Sequence, residues 1–293
     1  MHIGVEAWLA LVAFLLVLLS LDLIAFRGGR EPSLAASVAF SAFYIALGVG
    51  FAGVVWGWQG GEAASAYLAG YVLEKSLSLD NVFVFTLIFA AFPLPLARRR
   101  RVLFWGVIGA IAFRAAFIAA GAALLDAAHW VIYLFGAFLV ATAVKLARHG
   151  GVTFDAERSR IVRAVRRWAP RLATPAVLAL VAIETADVVF ALDSIPAIFA
   201  VTREPFLVFA ANAFAILGLR SLYFLLADSM TRFRYLDRAL AVLLGLAGAK
   251  LIASAFVKIP VTVTLAGIVA VLGAGVLASV LRAPAPRLRA GGG

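Results

Sequence analysis

Apolar runs of about twenty residues, separated by short polar stretches, recur along the whole of this 293-residue chain. At 1.5 Å of rise per residue, a helical run of that length matches the hydrocarbon thickness of a bilayer. The pattern predicts nine helices, at about 5–26, 34–56, 64–92, 102–124, 129–147, 174–201, 206–227, 239–256 and 261–281. The expected fold class is all-α, a polytopic transmembrane helical bundle of about nine spans forming a single transmembrane domain over 1–283. A basic loop occupies 148–173, and the last residues, 284–293 ("PAPRLRAGGG"), read as a disordered tail. The first run has no basic region before it, contains Glu6 and Asp22 and lacks a small-residue cleavage site. It reads as a helix that stays, not as a signal peptide.

Composition agrees, with 65% hydrophobic and 14% charged residues. In a soluble chain the net charge of +11 would point to nucleic acid; here its distribution matters more. Nineteen of the 26 Lys and Arg fall in one set of loops and tail, two (Arg203 and Lys258) in the other set, and five within spans. Because cytoplasmic loops hold the basic excess, the N-terminus is expected outside and the C-terminus in the cytoplasm. The expected partner is the lipid bilayer, with no nucleic acid, and "RSRIVRAVRRW" within the basic loop is expected to lie on anionic lipid as a short amphipathic helix. Cysteine is absent, which excludes disulfides, thiolate metal sites and thiol catalysis. His2, His129 and His149 fall at span ends or in loops, and no phosphate-binding glycine loop is present. No catalytic residue and no enzyme activity is expected.

The polar positions inside the spans repeat. "EKSLSLDNVFVF" (74–85) aligns with "DVVFALDSIPAI" (187–198), matching Glu74 to Asp187, Asp80 to Asp193 and Asn81 to Ser194. In each copy the next span carries one Arg (Arg114, Arg220) and the span after it one Lys near its end (Lys145, Lys250). The copies, about 64–147 and 174–256, are three spans apart and so run oppositely through the bilayer. That is an inverted 3+3 repeat of spans 3–5 and 6–8, with 5–26, 34–56 and 261–281 peripheral. In such architectures sites lie near the midplane at the repeat interface.

An Asp at mid-membrane costs at least about 2.5–3.5 kcal/mol, so acids on two such helices demand a reason. Either Lys75, Arg114 and Arg220, with Lys145 and Lys250, neutralise them structurally, or they converge on a cation. Glu74 to Asp80, like Asp187 to Asp193, spans about 240° of helix rotation and about 9 Å of rise, so a straight helix does not turn both acids to one face. Pro196, which cannot donate to the carbonyl of Leu192, favours a break in the second copy. Asn81, Ser194 and Asn212 are secondary oxygen donors, while Asp22 reads either as an interfacial partner of Arg27 or as a further ligand. Lys145 and Lys250 are placed to snorkel. Carboxylate, amide and hydroxyl oxygens without thiolate or imidazole suit Mn²⁺, Mg²⁺ or Ca²⁺. Desolvated carboxylates also bind protons when a metal leaves, so metal/H⁺ exchange is chemically natural.

The motifs "EKSLSLDNVFVF", "GVIGAIAFRAAFI", "ETADVVFALDSIPAIFAVT", "GLRSLYFLL" and "GLAGAKL" resemble, in order and over most of the chain, the TerC family of integral membrane proteins, part of the broader LysE-type transporter group. The resemblance implies Mn²⁺ efflux across the bacterial cytoplasmic membrane, with Mn²⁺ as transported substrate and no bound cofactor. It implies Glu74, Asp80, Glu184, Asp187 and Asp193 as metal ligands. A membrane-assembly role without transport stays open beside it, as does a membrane-embedded metalloenzyme, for which neither His nor Cys is at hand.

Overall fold

The computed structural model describes residues 3–25, 33–92, 94–128, 130–149, 159–226, 236–253, 256–257 and 260–281. Among them the ordered elements are all helices: α1 (Val5–Ala25), α2 (Leu34–Gln59), α3 (Gly61–Ala91), α4 (Leu96–Ala127), α5 (Val131–His149), α6 (Arg160–Trp168), α7 (Pro175–Phe199), α8 (Pro205–Ile216), α9 (Leu219–Leu226), α10 (Leu236–Ala253) and α11 (Val261–Leu281). Each segment expected from hydropathy is helical over its described residues, that at 206–227 in two pieces. Among the described residues six stretches are long and apolar enough to cross a membrane: α1, α2, α4, α7, the α8–α9 pair and α11. The others have a sequence reason for falling short. α3 carries Glu62, Glu74, Lys75 and Asp80, and the apolar parts of α5 and α10 are shorter. The tail at 284–293, residues 150–158 of the basic loop, His2 and His129, and the side chain of His149, lie outside the described residues.

Local chemistry sets several boundaries. Pro175 and Pro205 open α7 and α8, where a missing N–H costs nothing, and the Thr174 hydroxyl accepts from Val177 N at 3.4 Å. Ser33 caps α2 in the same way, accepting from Ala36 N at 3.2 Å. α6 is the amphipathic helix expected in the basic loop. Its Val162 is buried, Arg166 lies over Phe92, and Trp168 projects 81% exposed beside Arg167.

Helices in lipid gain little from the hydrophobic effect between them, so close approach and polar contacts decide which ones pair. α8 is buried along its length, because Ala210, Ala211, Ala213 and Ala215 let α3 and α4 come close. α5 and α10 cross at Gly136 and Gly248, where a Cβ on Gly248 would stand 2.8 Å from the Gly136 carbonyl. α1, α2 and α11 turn exposed Leu, Val and Phe outward, as lipid-facing helices do. Hydroxyls on several helices are satisfied locally: Ser76 donates to Val72 O at 2.6 Å, Thr86 to Val82 O at 3.0 Å and Thr185 to Val181 O at 2.6 Å.

The helix break is not where Pro196 suggested. α7 continues through Pro196 to Phe199, because the proline sits in the last turn and disturbs little of the ladder. The break falls instead at Leu217–Gly218, between α8 and α9, where Gly218 has φ +80°. Lys75 of α3 covers the exposed helix end, its Nζ donating to Ala215 O at 2.9 Å and to Leu217 O at 3.4 Å. A Cβ on Gly218 would meet the Tyr44 side chain at 2.8 Å as well as requiring a left-handed backbone. Gly218→Ala is therefore expected to destabilise the protein by about 1–3 kcal/mol. Gly50→Ala, in α2 with open space around it, should be neutral or mildly stabilising. Thermal unfolding of both variants in detergent micelles checks the contrast.

Candidate ion-binding site

α4 and α7 run side by side in the same direction, touching at Gly106 and Ile183, Gly109 and Glu184, Arg114 and Asp187, and Gly121 and Phe199. Small residues on α4 bring the two backbones close enough for a long side chain of one to reach a short one of the other. At the third of these contacts lies a fully buried guanidinium.

Arg114 is 1% exposed and sits among four partners from three other helices. Its Nη2 donates to Asp187 Oδ1 at 2.8 Å and its Nε to Asp187 Oδ2 at 3.2 Å, the two-pronged geometry that suits guanidinium and carboxylate. Nη1 donates to Glu74 Oε1 of α3, to Asn212 Oδ1 of α8 at 2.8 Å and to Ser194 Oγ of α7 at 3.3 Å. Two carboxylates against one guanidinium leave this group with a formal charge of −1. Polar capacity is left over as well: Glu74 Oε2 and Asn212 Nδ2 are buried without a hydrogen-bond partner.

Of the five acids expected as ligands, Glu74 and Asp187 meet, on Arg114 and not on an empty centre. Glu184 is half-buried one turn before Asp187 and lies against Gly109, where a Cβ would come within 2.0 Å of Glu184 Oε1; its Oε2 has no partner. Asp193 points elsewhere, accepting from Thr142 Oγ1 of α5 at 3.1 Å in the electrostatic field of Lys145. The unbroken α7 explains this, since six residues of continuous helix carry Asp187 and Asp193 to different faces. The side chain of Asp80 lies outside the described residues, so its expected approach to Asp193 does too. Among the described residues no three of His, Asp and Glu are grouped as a metal site.

The secondary residues also sort themselves. Asn212 and Ser194 join the Arg114 group, whereas Lys75 serves carbonyls of α8. For Asp22 the expected partner Arg27 lies outside the described residues, and the carboxylate turns to another helix. It pairs with Arg220 of α9, both buried, and that guanidinium lies 5.7 Å from the Phe104 ring. Nearby, Ser41 of α2 and Ser221 of α9 hydrogen-bond at 3.1 Å. Sequence reasoning missed Gly109, Thr142 and the central position of Arg114. For Arg114 a signal existed: one permanently charged residue alone in a long apolar helix requires buried carboxylates around it.

Comparison with known proteins places the chain in a family of integral membrane proteins. The sequence profile of the integral membrane protein TerC family matches residues 59–286. A Myxococcus xanthus protein named "Uncharacterized membrane protein STKORF319" is 41% identical, over 94% of this chain and 92% of its own length. The Escherichia coli K12 protein named "Putative membrane-bound redox modulator Alx" is 38% identical over 90% of this chain and 91% of its own, and a Rickettsia bellii membrane protein is 35% identical over 94% and 97%. No solved structure matches. With the profile spanning most of the chain and relatives this similar along nearly all of it, the chain belongs to the TerC family of integral membrane proteins.

Proposed function

We propose that this protein exports a hard divalent cation, Mn²⁺ foremost, across the bacterial cytoplasmic membrane, and that the cation is bound where Glu74, Asp187, Ser194 and Asn212 surround Arg114. The observation that carries the reading is the excess of buried carboxylate over buried cation at that point, with Glu74 Oε2 left unpartnered. A purely structural ion pair needs one carboxylate per guanidinium. Here a second carboxylate shares that guanidinium, while the neighbouring Lys75 ammonium is turned to carbonyls of α8 and Glu184 lies a turn away from Asp187; a metal cation or a proton offsets the cost of holding these acids in oil. The donors are all oxygens, as Mn²⁺, Mg²⁺ and Ca²⁺ prefer. Arg114 acts as a tethered counter-charge: it holds the acids between transport events and yields part of its contacts when the metal arrives. Protons entering as metal leaves serve the same end.

The proposed frame is nine spans with the N-terminus outside, related internally by a two-fold axis in the membrane plane. Supporting it, α3 and α8 run parallel, α4 and α7 run parallel, and α5 and α10 cross antiparallel, the relations such an axis requires. The repeat is unequal in chemistry, because Arg114 holds the repeat acids while its counterpart Arg220 holds Asp22 of the peripheral helix. The relatives' name "redox modulator" has no thiol couple to work through in a chain without cysteine.

Expression in a manganese-sensitive bacterial strain tests the reading. Cellular Mn²⁺ should fall and tolerance rise with the native chain, and Glu74→Gln and Asp187→Asn, which retain size but lose charge at the proposed site, should remove the effect at equal abundance. Lys145→Gln should preserve it. If Glu74→Gln and Asp187→Asn both protect fully while partner proteins co-purify with the chain, a membrane-assembly role is the better account.

A further inference from the structure

The hydroxyl of Ser78 departs from the rule its neighbours obey. Ser76 and Thr86 on the same helix α3 turn back to the carbonyl four residues earlier, but Ser78 Oγ has no hydrogen-bond partner among the described residues. The same holds for Tyr71 Oη, Glu74 Oε2 and Asn81 Oδ1. All four residues are buried, with exposures of 2% at Tyr71, 0% at Glu74 and Ser78 and 1% at Asn81. At 100° per residue, these positions fall within about 80° of one another around the helix and cover about 15 Å along it. They form one row of oxygens, and Glu74 in that row belongs to the Arg114 group.

Beyond either end, the same face of α3 turns aromatic. Phe85, Phe89 and Phe92 continue it towards the arginine-rich end, with Arg99 5.7 Å from the Phe89 ring and Arg166 5.8 Å from the Phe92 ring. At the other end Tyr67 stacks on Tyr71 at 6.1 Å and packs edge-on against Phe51 at 5.2 Å. A buried polar atom without a partner carries its full desolvation penalty, so four in line destabilise the closed packing around them. Water admitted between the helices would relieve that penalty.

We propose that this face of α3 is a hydrated access lane for the cation. Asn81 and Ser78 are its neutral way-station beside Glu74, Tyr71 continues it past the site, and an aromatic plug closes each end in the conformation seen here. The lane rests on the cation-export reading above, and it adds the route and the ligand form: a partly hydrated divalent ion, handed along amide, hydroxyl and phenol oxygens, reaches the carboxylates without crossing bare hydrocarbon. Exchange of a water ligand for a neutral oxygen costs a hard cation little, which is what a passage, as opposed to a binding site, requires.

The chain contains no cysteine, so single substitutions report cleanly. Ser78→Cys and Asn81→Cys, with Leu73→Cys and Val84→Cys as equally buried positions on the other faces of α3, are placed in membrane vesicles and exposed to a small charged methanethiosulfonate. Expected is modification of the two lane positions roughly tenfold faster than the two controls, because water opens only that face. Slowing of that modification by Mn²⁺ supports both lane and cargo. Fast modification that Mn²⁺ does not change supports the lane and counts against a metal cargo. Equal rates at all four positions overturn the lane, whatever flux the protein carries.

Discussion

Arg114→Gln is expected to be the most destabilising single substitution in the protein, lowering its stability in detergent by about 3–5 kcal/mol, the loss seen when one partner of a buried ion pair is removed. The change strips the common donor from Glu74, Asp187, Ser194 and Asn212 together and leaves two carboxylates buried without a cation. Arg114→Lys should recover only part of the loss, since an ammonium is a point charge and cannot match the planar fork that engages both oxygens of Asp187. The informative comparison is Arg114→Gln combined with Glu74→Gln and Asp187→Asn. With every charge gone, the folded fraction should return towards that of the native chain while metal handling stays lost. Thermal unfolding and yield of monodisperse protein in micelles measure the first, and metal tolerance in cells the second.

Glu74→Gln should behave in the opposite way, stable but inactive. It removes the carboxylate in excess, leaving Asp187 and Arg114 as a neutral two-pronged pair, and the Gln oxygen still accepts from Nη1. Unfolding temperature is therefore expected to be unchanged or raised. Mn²⁺ affinity should fall by roughly ten- to a hundredfold, the equivalent of a lost charge-assisted contact of about 1.5–3 kcal/mol. A residue retained for structure alone would show the reverse, a loss of stability with any loss of function following from it. Gly109→Ala gives a milder version at the neighbouring acid: its Cβ displaces the Glu184 carboxylate without altering charge.

How much of this was legible in the sequence depended on whether the determinant was local. Helix positions follow from runs of apolar residues, and α6 and the starts of α7 and α8 from an arginine pattern and from prolines. The acids stood out because each is expensive in an apolar helix. Their grouping was not legible, because it depends on helix rotation and pairing. Asp187 and Asp193 lie on one straight helix and face apart, and Asp22 meets Arg220 across 198 positions of sequence. The break was misplaced because Pro196 is the louder signal, yet a proline in the last turn of α7 leaves the helix intact. The quieter "LGLR" holds the glycine whose left-handed backbone separates α8 from α9. In the sequence Arg114 is one of several basic residues; only the packing of α3, α4, α7 and α8 makes it the centre.

If the two carboxylates held on Arg114 serve to carry a metal ion, Mn²⁺ flux into proteoliposomes holding equal folded amounts of the native chain and of Glu74→Gln will separate the two proteins. Expected are flux from the native protein well above protein-free liposomes and flux from Glu74→Gln at the liposome background. Native flux no higher than that background, or a Glu74→Gln rate equal to the native one, would contradict that role.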